Sequence, residues 1–130
     1  MRQESRRWID ESGVLLHAIE ASLNLDPAEG ARRGLLYTTH TIALSGLKSL
    51  FCESRITPPK SQNLMRLHER ITRLGWTLDV CLSDFALLNQ YHVGAIHNLG
   101  MSDRVKDVET ALAASKRIHE AIRSELDKQP

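Results

Sequence analysis

The pair Pro58-Pro59 cuts the chain's most apolar stretch in two, and this break constrains the fold more than any other feature. Upstream runs Leu35-Leu36-Tyr37 through Ile42-Ala43-Leu44 to Leu47-Lys48-Ser49-Leu50-Phe51. Downstream, Leu64, Leu67, Ile71 and Leu74 recur at helical spacing. Each proline lacks an N–H and restricts the residue before it, so one helix must end before Thr57 and another restart near Ser61. The spacing predicts this restarted helix, the third of the chain, over 61–74, with Gly75 as its left-handed stop.

The same periodicity covers the rest of the chain. A first helix is predicted from Gln3 to Leu23, with Trp8, Leu15, Leu16, Ile19 and Leu23 on one face. Asp26-Pro27-Ala28-Glu29 has the pattern of a helix start: N-cap, proline at the first position, acid at the third. That second helix runs to Ser54 with Leu36, Ala43, Leu47 and Leu50 as its stripe, widened by Leu35, Ile42 and Phe51. Gly34 and Gly46 in it point to close approach of a neighbouring helix or a second subunit, since each costs about 1 kcal/mol of helix propensity. A fourth helix is expected from Thr77 to Gly100, carrying Leu78, Cys81, Leu82, Phe85, Leu88, Ala95 and Ile96, with Gly94 as a bend. Ser102 then caps a fifth from Asp103 to Lys128, with Val105, Val108, Leu112, Ile118, Ile122 and Leu126 inward. No alternating β-branched run suggests a strand. The fold class is therefore all-α: an up-and-down four-helix bundle with one additional short helix, in a single domain spanning 1–130.

Charge narrows the function classes. With 17 Lys+Arg against 16 Asp+Glu, a dedicated DNA-binding surface is not expected, while a local basic patch remains compatible. Arg6 and Arg7 in the first turns oppose the helix dipole, which suits a solvated face or an acidic partner. Arg32 and Arg33 near the start of the second helix read as surface charge, with phosphate as the alternative. Cys52 and Cys81 lie in apolar patterns and read as buried free thiols. No apolar run is long enough for a membrane span and no signal-peptide core is visible, so a cytoplasmic location and no membrane partner are expected.

Six histidines raise the question of a metal. Only His17 and Glu20 share a close helical spacing, in the order His-x-x-Glu, whereas a dimetal bundle wants Glu-x-x-His on two helices. His40, His92, His97 and His119 lie on other helices and read as boundary residues. No cofactor and no metal ligand is assigned. There is no Gly-rich phosphate loop, and neither cysteine has a base beside it in sequence.

The order of elements is similar to that of HEPN domains, the nucleotide-binding helical domains of prokaryotes and higher eukaryotes. The resemblance rests on Trp8-Ile9 with Leu15-Leu16 and Ala18, on Leu47-Lys48-Ser49-Leu50-Phe51, and on Pro58-Pro59-Lys60 with Asn63-Leu64. It continues in Leu88, Tyr91 and Ile96, and in the last helix with Ala111, Ala114, Ile118 and Ile122. The family's nuclease members carry an arginine four to six residues before a histidine. Here His97 is present, but Gln90, Tyr91 and His92 supply no arginine. Arg33 and His40 meet that spacing on the second helix, where the family does not place it. The family's glutamate ahead of Leu-Lys is Leu44, and the histidine of its His-Asp-Leu run is Gln62.

The resemblance therefore implies a non-catalytic binding module that dimerises and works beside a small nucleotidyltransferase in a toxin–antitoxin type pair, with nucleotide or RNA as ligand. Tyr91, His97, Asn98 and Gln90 would form its ligand site, with Lys48 or Arg33 as the nearest cations. An RNA-cleaving toxin with an altered active site is the alternative reading, and a metal-binding helical bundle the weaker one.

Overall fold

The computed structural model of the chain describes residues 1–92 and 104–130; those residues are helical or irregular, with no strand among them. Helix α1 spans Gln3–Asn24, α2 Glu29–Glu53, α3 Leu64–Arg73, α4 Leu82–Leu88 and α5 Val105–Asp127. A 3-10 turn at Asn89–Tyr91 extends α4. None of these helices is long and apolar enough to cross a membrane.

Helix α2 is the axis of the molecule. Leu36, Ile42, Ala43, Leu47, Leu50 and Phe51 are buried along it, packed with Ile9, Leu16 and Ile19 of α1 and Val108, Ile118, Ile122 and Leu126 of α5. Leu64, Leu67 and Ile71 of α3 and Phe85 and Leu88 of α4 close the remaining sides. Thr39 and Ser49 also enter this interior, because each hydroxyl donates to a carbonyl one turn earlier, Leu36 and Gly46 respectively. Gly46 behaves as its sequence context suggests: a methyl group there would sit 2.9 Å from Ile122 Cδ1. At Gly34 no neighbouring helix of this chain approaches, since a methyl group there would meet nothing of the chain within 4 Å.

One polar junction sets the level at which three helices meet. The Ser12 hydroxyl on α1 donates to the Ile42 carbonyl of α2 at 3.0 Å. Its single hydrogen being used there, it accepts from His119 Nδ1 of α5 at 2.9 Å. That contact fixes the His119 tautomer with the proton on Nδ1. Farther along, Arg123 of α5 meets Asp10 of α1 at 3.2 Å, and the Arg2 backbone N–H donates to Glu53 Oε1 at 2.8 Å. These pairings run α1 antiparallel to both α2 and α5.

Helix ends depart from the sequence expectations in four places. Asp26 does not cap α2; it takes a left-handed conformation (φ 50°) that terminates α1, and α2 starts at Glu29 behind Ala28. Aspartate tolerates that conformation better than most side chains, which is why a capping residue serves as a stop. Helix α3 starts at Leu64, because Asn63 accepts the Arg66 N–H with its side chain and so caps it three residues later than expected. Its end is as expected: Gly75 has φ 101°, and the Trp76 N–H reaches back to the Ile71 carbonyl at 3.1 Å. Helix α4 starts at Leu82, not Thr77, leaving Cys81 exposed and Leu82 52% exposed rather than on an apolar face. The remainder of the expected fourth helix, with Gly94, Ala95, Ile96 and Gly100, lies outside the described residues, as do Ser102 and Asp103. Helix α5 begins at Val105, where the Arg104 N–H donates to Asp107 Oδ2 at 3.1 Å.

Two expected core positions are also corrected. Leu74 is 40% exposed, since it is the last residue before the left-handed Gly75 turns the chain away. Trp8 is only half-buried, and Ile9 beside it is fully buried in its place.

Candidate functional site

Of the expected site residues, the described ones, Tyr91, Gln90, Arg33 and Lys48, do not assemble in one place. Tyr91 is buried at 7% exposure; burial and the nearby Asp107 carboxylate push its phenol above the usual tyrosine range. It packs as a core residue at the end of the 3-10 turn. Gln90 beside it is exposed. His97 and Asn98 lie outside the described residues. Arg33 and Lys48 sit fifteen residues apart on α2, about 22 Å along its axis, so they cannot serve one small ligand.

Lys48 instead belongs to a cleft that the sequence reading did not assemble. The first turns of α1, the last turns of α2 and the strap through the paired prolines enclose about 630 Å³. Five cations line it, Arg2, Arg7, Lys48, Arg55 and Lys60, against two carboxylates, Glu4 and Glu11. Trp8, Ile56, Pro58 and Pro59 supply apolar wall. The Lys48 ammonium lies 4.8 Å from the centre of the Trp8 ring, within cation–π range.

Local chain geometry explains the convergence. The α1–α2 antiparallel pairing brings residues 2–11 against residues 48–55. Helix α2 ends in a Schellman motif: the Ile56 N–H reaches the Phe51 carbonyl at 2.9 Å and the Arg55 N–H the Cys52 carbonyl at 3.0 Å. The left-handed residue in that motif is Arg55 (φ 61°), where glycine is usual. The prolines then carry residues 57–60 along the cleft rim without regular secondary structure. Cys52, also in the lining, is buried; burial, then the Glu4 charge, push its thiol up, so it stays protonated and is a poor nucleophile.

The cations of the cleft are gathered in one place without ion pairs between them and the lining carboxylates. Among the described residues, Arg73, Arg104, Arg117, Arg123 and Lys128 each pair with a carboxylate within 3.4 Å. None of the five cleft cations forms an ion pair with a described residue. Arg2 Nε is moreover buried with no hydrogen-bond acceptor. The sequence signal for this cleft was weak: a basic N-terminal stretch over residues 2–7 and, some forty residues later, the single cations Lys48, Arg55 and Lys60, each unremarkable by itself.

A second, smaller hollow of about 290 Å³ lies at the start of α3, lined by Ser61, Gln62, Asn63, Asn89 and His92. Asn89 ties this loop down, accepting the Leu64 N–H at 2.9 Å and donating to Asn63 Oδ1 at 3.1 Å. His40 of α2 is fully buried beneath it and donates from Nε2 to the Gln62 carbonyl at 2.8 Å, so it is no boundary residue. Its Nδ1 is buried without a partner, and the His92 ring stands edge-on with centroids 6.2 Å apart. Burial holds the His40 pKa below the usual histidine value; the Gln62 hydrogen bond works against that shift and the His92 charge adds to it. His68 is lowered by burial, and His119 by burial and then by the Arg123 charge.

These shifts have one sign and one consequence. The unfolded chain takes up protons near pH 6.5, while the fold resists until lower pH, so stability is full above about pH 6.5 and falls as the pH drops below it. The melting temperature is expected to decline between about pH 7.5 and pH 5.5, before carboxylates titrate, and to decline less in His40→Gln. A flat profile over that window in the wild type would contradict the assignment of His40 as a neutral, buried ring.

His17 is exposed, Glu20 is half-buried, and the two are 3.9 Å apart. Among the described residues no group of three or more His, Cys, Asp or Glu is arranged to hold a metal ion. No family model, curated protein or solved structure matches the chain.

Proposed function

We propose that the chain is a non-catalytic, HEPN-like binding and interaction module whose ligand is an anion seated in the cleft beside Trp8. The observation that supports this reading is the cluster of five cations with no carboxylate partner. Like charges held together raise the local potential and attract counter-charge. The buried, acceptor-less Arg2 Nε and the left-handed Arg55 fit the same reading. A non-glycine residue in that conformation costs about 1 kcal/mol, which a purely structural helix stop would avoid with glycine.

The remaining parts of the proposal rest on the family resemblance: a homodimer, a small nucleotidyltransferase as protein partner, and nucleotide or RNA as the anion. Gly46 no longer argues for the dimer, because Ile122 of the same chain fills its approach; of the two glycines singled out on α2, Gly34 is left open. A monomer by light scattering at tens of micromolar would remove the dimer.

Titration with tripolyphosphate tests the cleft. Lys48→Glu is expected to weaken binding roughly tenfold, as removal of one charge-assisted hydrogen bond does. Arg55→Gly is expected to weaken it severalfold while raising fold stability by about 1 kcal/mol. Unchanged affinity in both variants would sink the reading.

The RNA-cleaving alternative keeps one supporting observation, the His40–His92 ring pair next to the small hollow. Proton transfer needs an imidazole within reach of substrate, and His40 is fully buried. Purified protein is therefore expected not to cleave RNA. Robust cleavage that disappears in both His92→Ala and His97→Ala would establish the alternative.

A further inference from the structure

We infer that His40 is a latch on the cleft: its neutral ring ties the proline strap to the bundle, and its protonation lets the strap go. This latch rests on the reading of the cleft as an anion site and adds the regulation of that site by pH. The strap supplies one wall of the cleft, with Ile56, Pro58, Pro59 and Lys60. At one end the Ile56 N–H is anchored to the Phe51 carbonyl, and at the other Asn63 and Leu64 are anchored by Asn89. Between those anchors, among the described residues, a single hydrogen bond joins residues 57–62 to a helix. It runs from His40 Nε2 to the Gln62 carbonyl at 2.8 Å.

Acid acts on the donor of that bond. His40 is fully buried, and its Nδ1 has no partner. A second proton on the ring would sit on that nitrogen, buried, charged and unpaired, a state that folded chains avoid. Among the described residues no carboxylate acts on the ring; the one charge that does belongs to His92, edge-on beside the small hollow, and it opposes protonation. Asp107 of α5 faces the same 3-10 turn, but its charge acts on Tyr91. A charged ring therefore regains its hydration by leaving, and the bond to Gln62 goes with it. Once out, the imidazole titrates near its ordinary value of about 6.5, so the latch is shut above that pH and opens as the pH falls below it. An open strap withdraws Lys60 and the proline wall, and the apparent affinity drops with the fraction that stays shut. The direction is diagnostic, because added histidine charge would by itself strengthen anion binding.

Trimetaphosphate, whose own charge is constant between about pH 7.5 and pH 5.5, is the probe of the purified protein over that window. The wild type is expected to bind it severalfold more weakly at the lower pH, with its helical circular dichroism unchanged. His40→Gln offers the Gln62 carbonyl an amide N–H and takes up no proton. It is expected to match the wild type at the higher pH and to lose nothing at the lower. His92→Gln leaves the latch in place and removes the charge beside it; it is expected to shrink the loss, and it carries the test where His40→Gln does not fold. Wild-type affinity that holds or rises on acidification overturns the latch while the anion cleft stands. So does an equal loss in His40→Gln, an undiminished loss in His92→Gln, or helicity lost in step with affinity. Binding at the higher pH that is indifferent to Lys48→Glu overturns the cleft itself.

Discussion

Arg117→Ala is expected to cost the fold about 2–3 kcal/mol, roughly twice the cost of Asp84→Ala. The asymmetry follows from where the two partners sit. Asp84 on α4 is 7% exposed and Arg117 on α5 is more than half exposed. The guanidinium grips both carboxylate oxygens at 2.9 Å, from Nε and from a terminal nitrogen, and Asp84 in turn raises the Arg117 pKa. Removing the arginine strands a buried carboxylate. Removing the aspartate leaves a guanidinium that turns to water. The pair also bridges two elements that no other described ion pair joins, and it adds to the seat that Phe85 and Leu88 give α4 in the core. Urea melts of both variants decide the matter: equal losses, or a greater loss in Asp84→Ala, would refute the account.

Gly46→Val is expected to destabilise by about 2–3 kcal/mol, although replacing a helix-interior glycine with valine gains some helix propensity. The Cβ would meet Ile122 Cδ1 at 2.9 Å and stand 3.9 Å from Ser12 Oγ. One extra methyl, in Gly46→Ala, presses on the mobile end of Ile122 alone, so overcrowding and propensity nearly cancel. Valine adds two branches close to the Ser12–Ile42–His119 junction. Ile122→Ala opens space at the same spot and is costly by itself, about 2–5 kcal/mol. The double variant Gly46→Val/Ile122→Ala should therefore lose clearly less than the sum of its parts. Strict additivity in denaturant melts would place the clash elsewhere.

These two sites illustrate what was legible in the chain. Gly46 stood out in sequence as a glycine inside an apolar helix, and the reason was the one expected, a close neighbour. The same signal at Gly34 has no neighbour behind it in the structure. The Asp84–Arg117 bond left no trace in the sequence, because the partners are thirty-three residues apart and neither breaks a periodic pattern. Asp26 misled for a local reason: aspartate serves both as a helix cap and as a left-handed stop, and only the entry angle of α2 selects between them.

The sequence by itself determined that the described chain would be helical, where Pro58-Pro59 would break it, and most of the aliphatic positions on α2, α3 and α5 that would be buried, because 3.6-residue periodicity and proline chemistry are local. It did not determine where Thr77–Cys81 would lie: an apolar pattern alone cannot tell a helical turn from a surface strap. Nor did it gather the cleft. Arg2, Arg7 and Trp8 reach Lys48, Arg55 and Lys60 only because α1 runs antiparallel to α2 and the proline strap folds back past Arg55. Charge accumulates in space through that packing, and no window along the chain contains it.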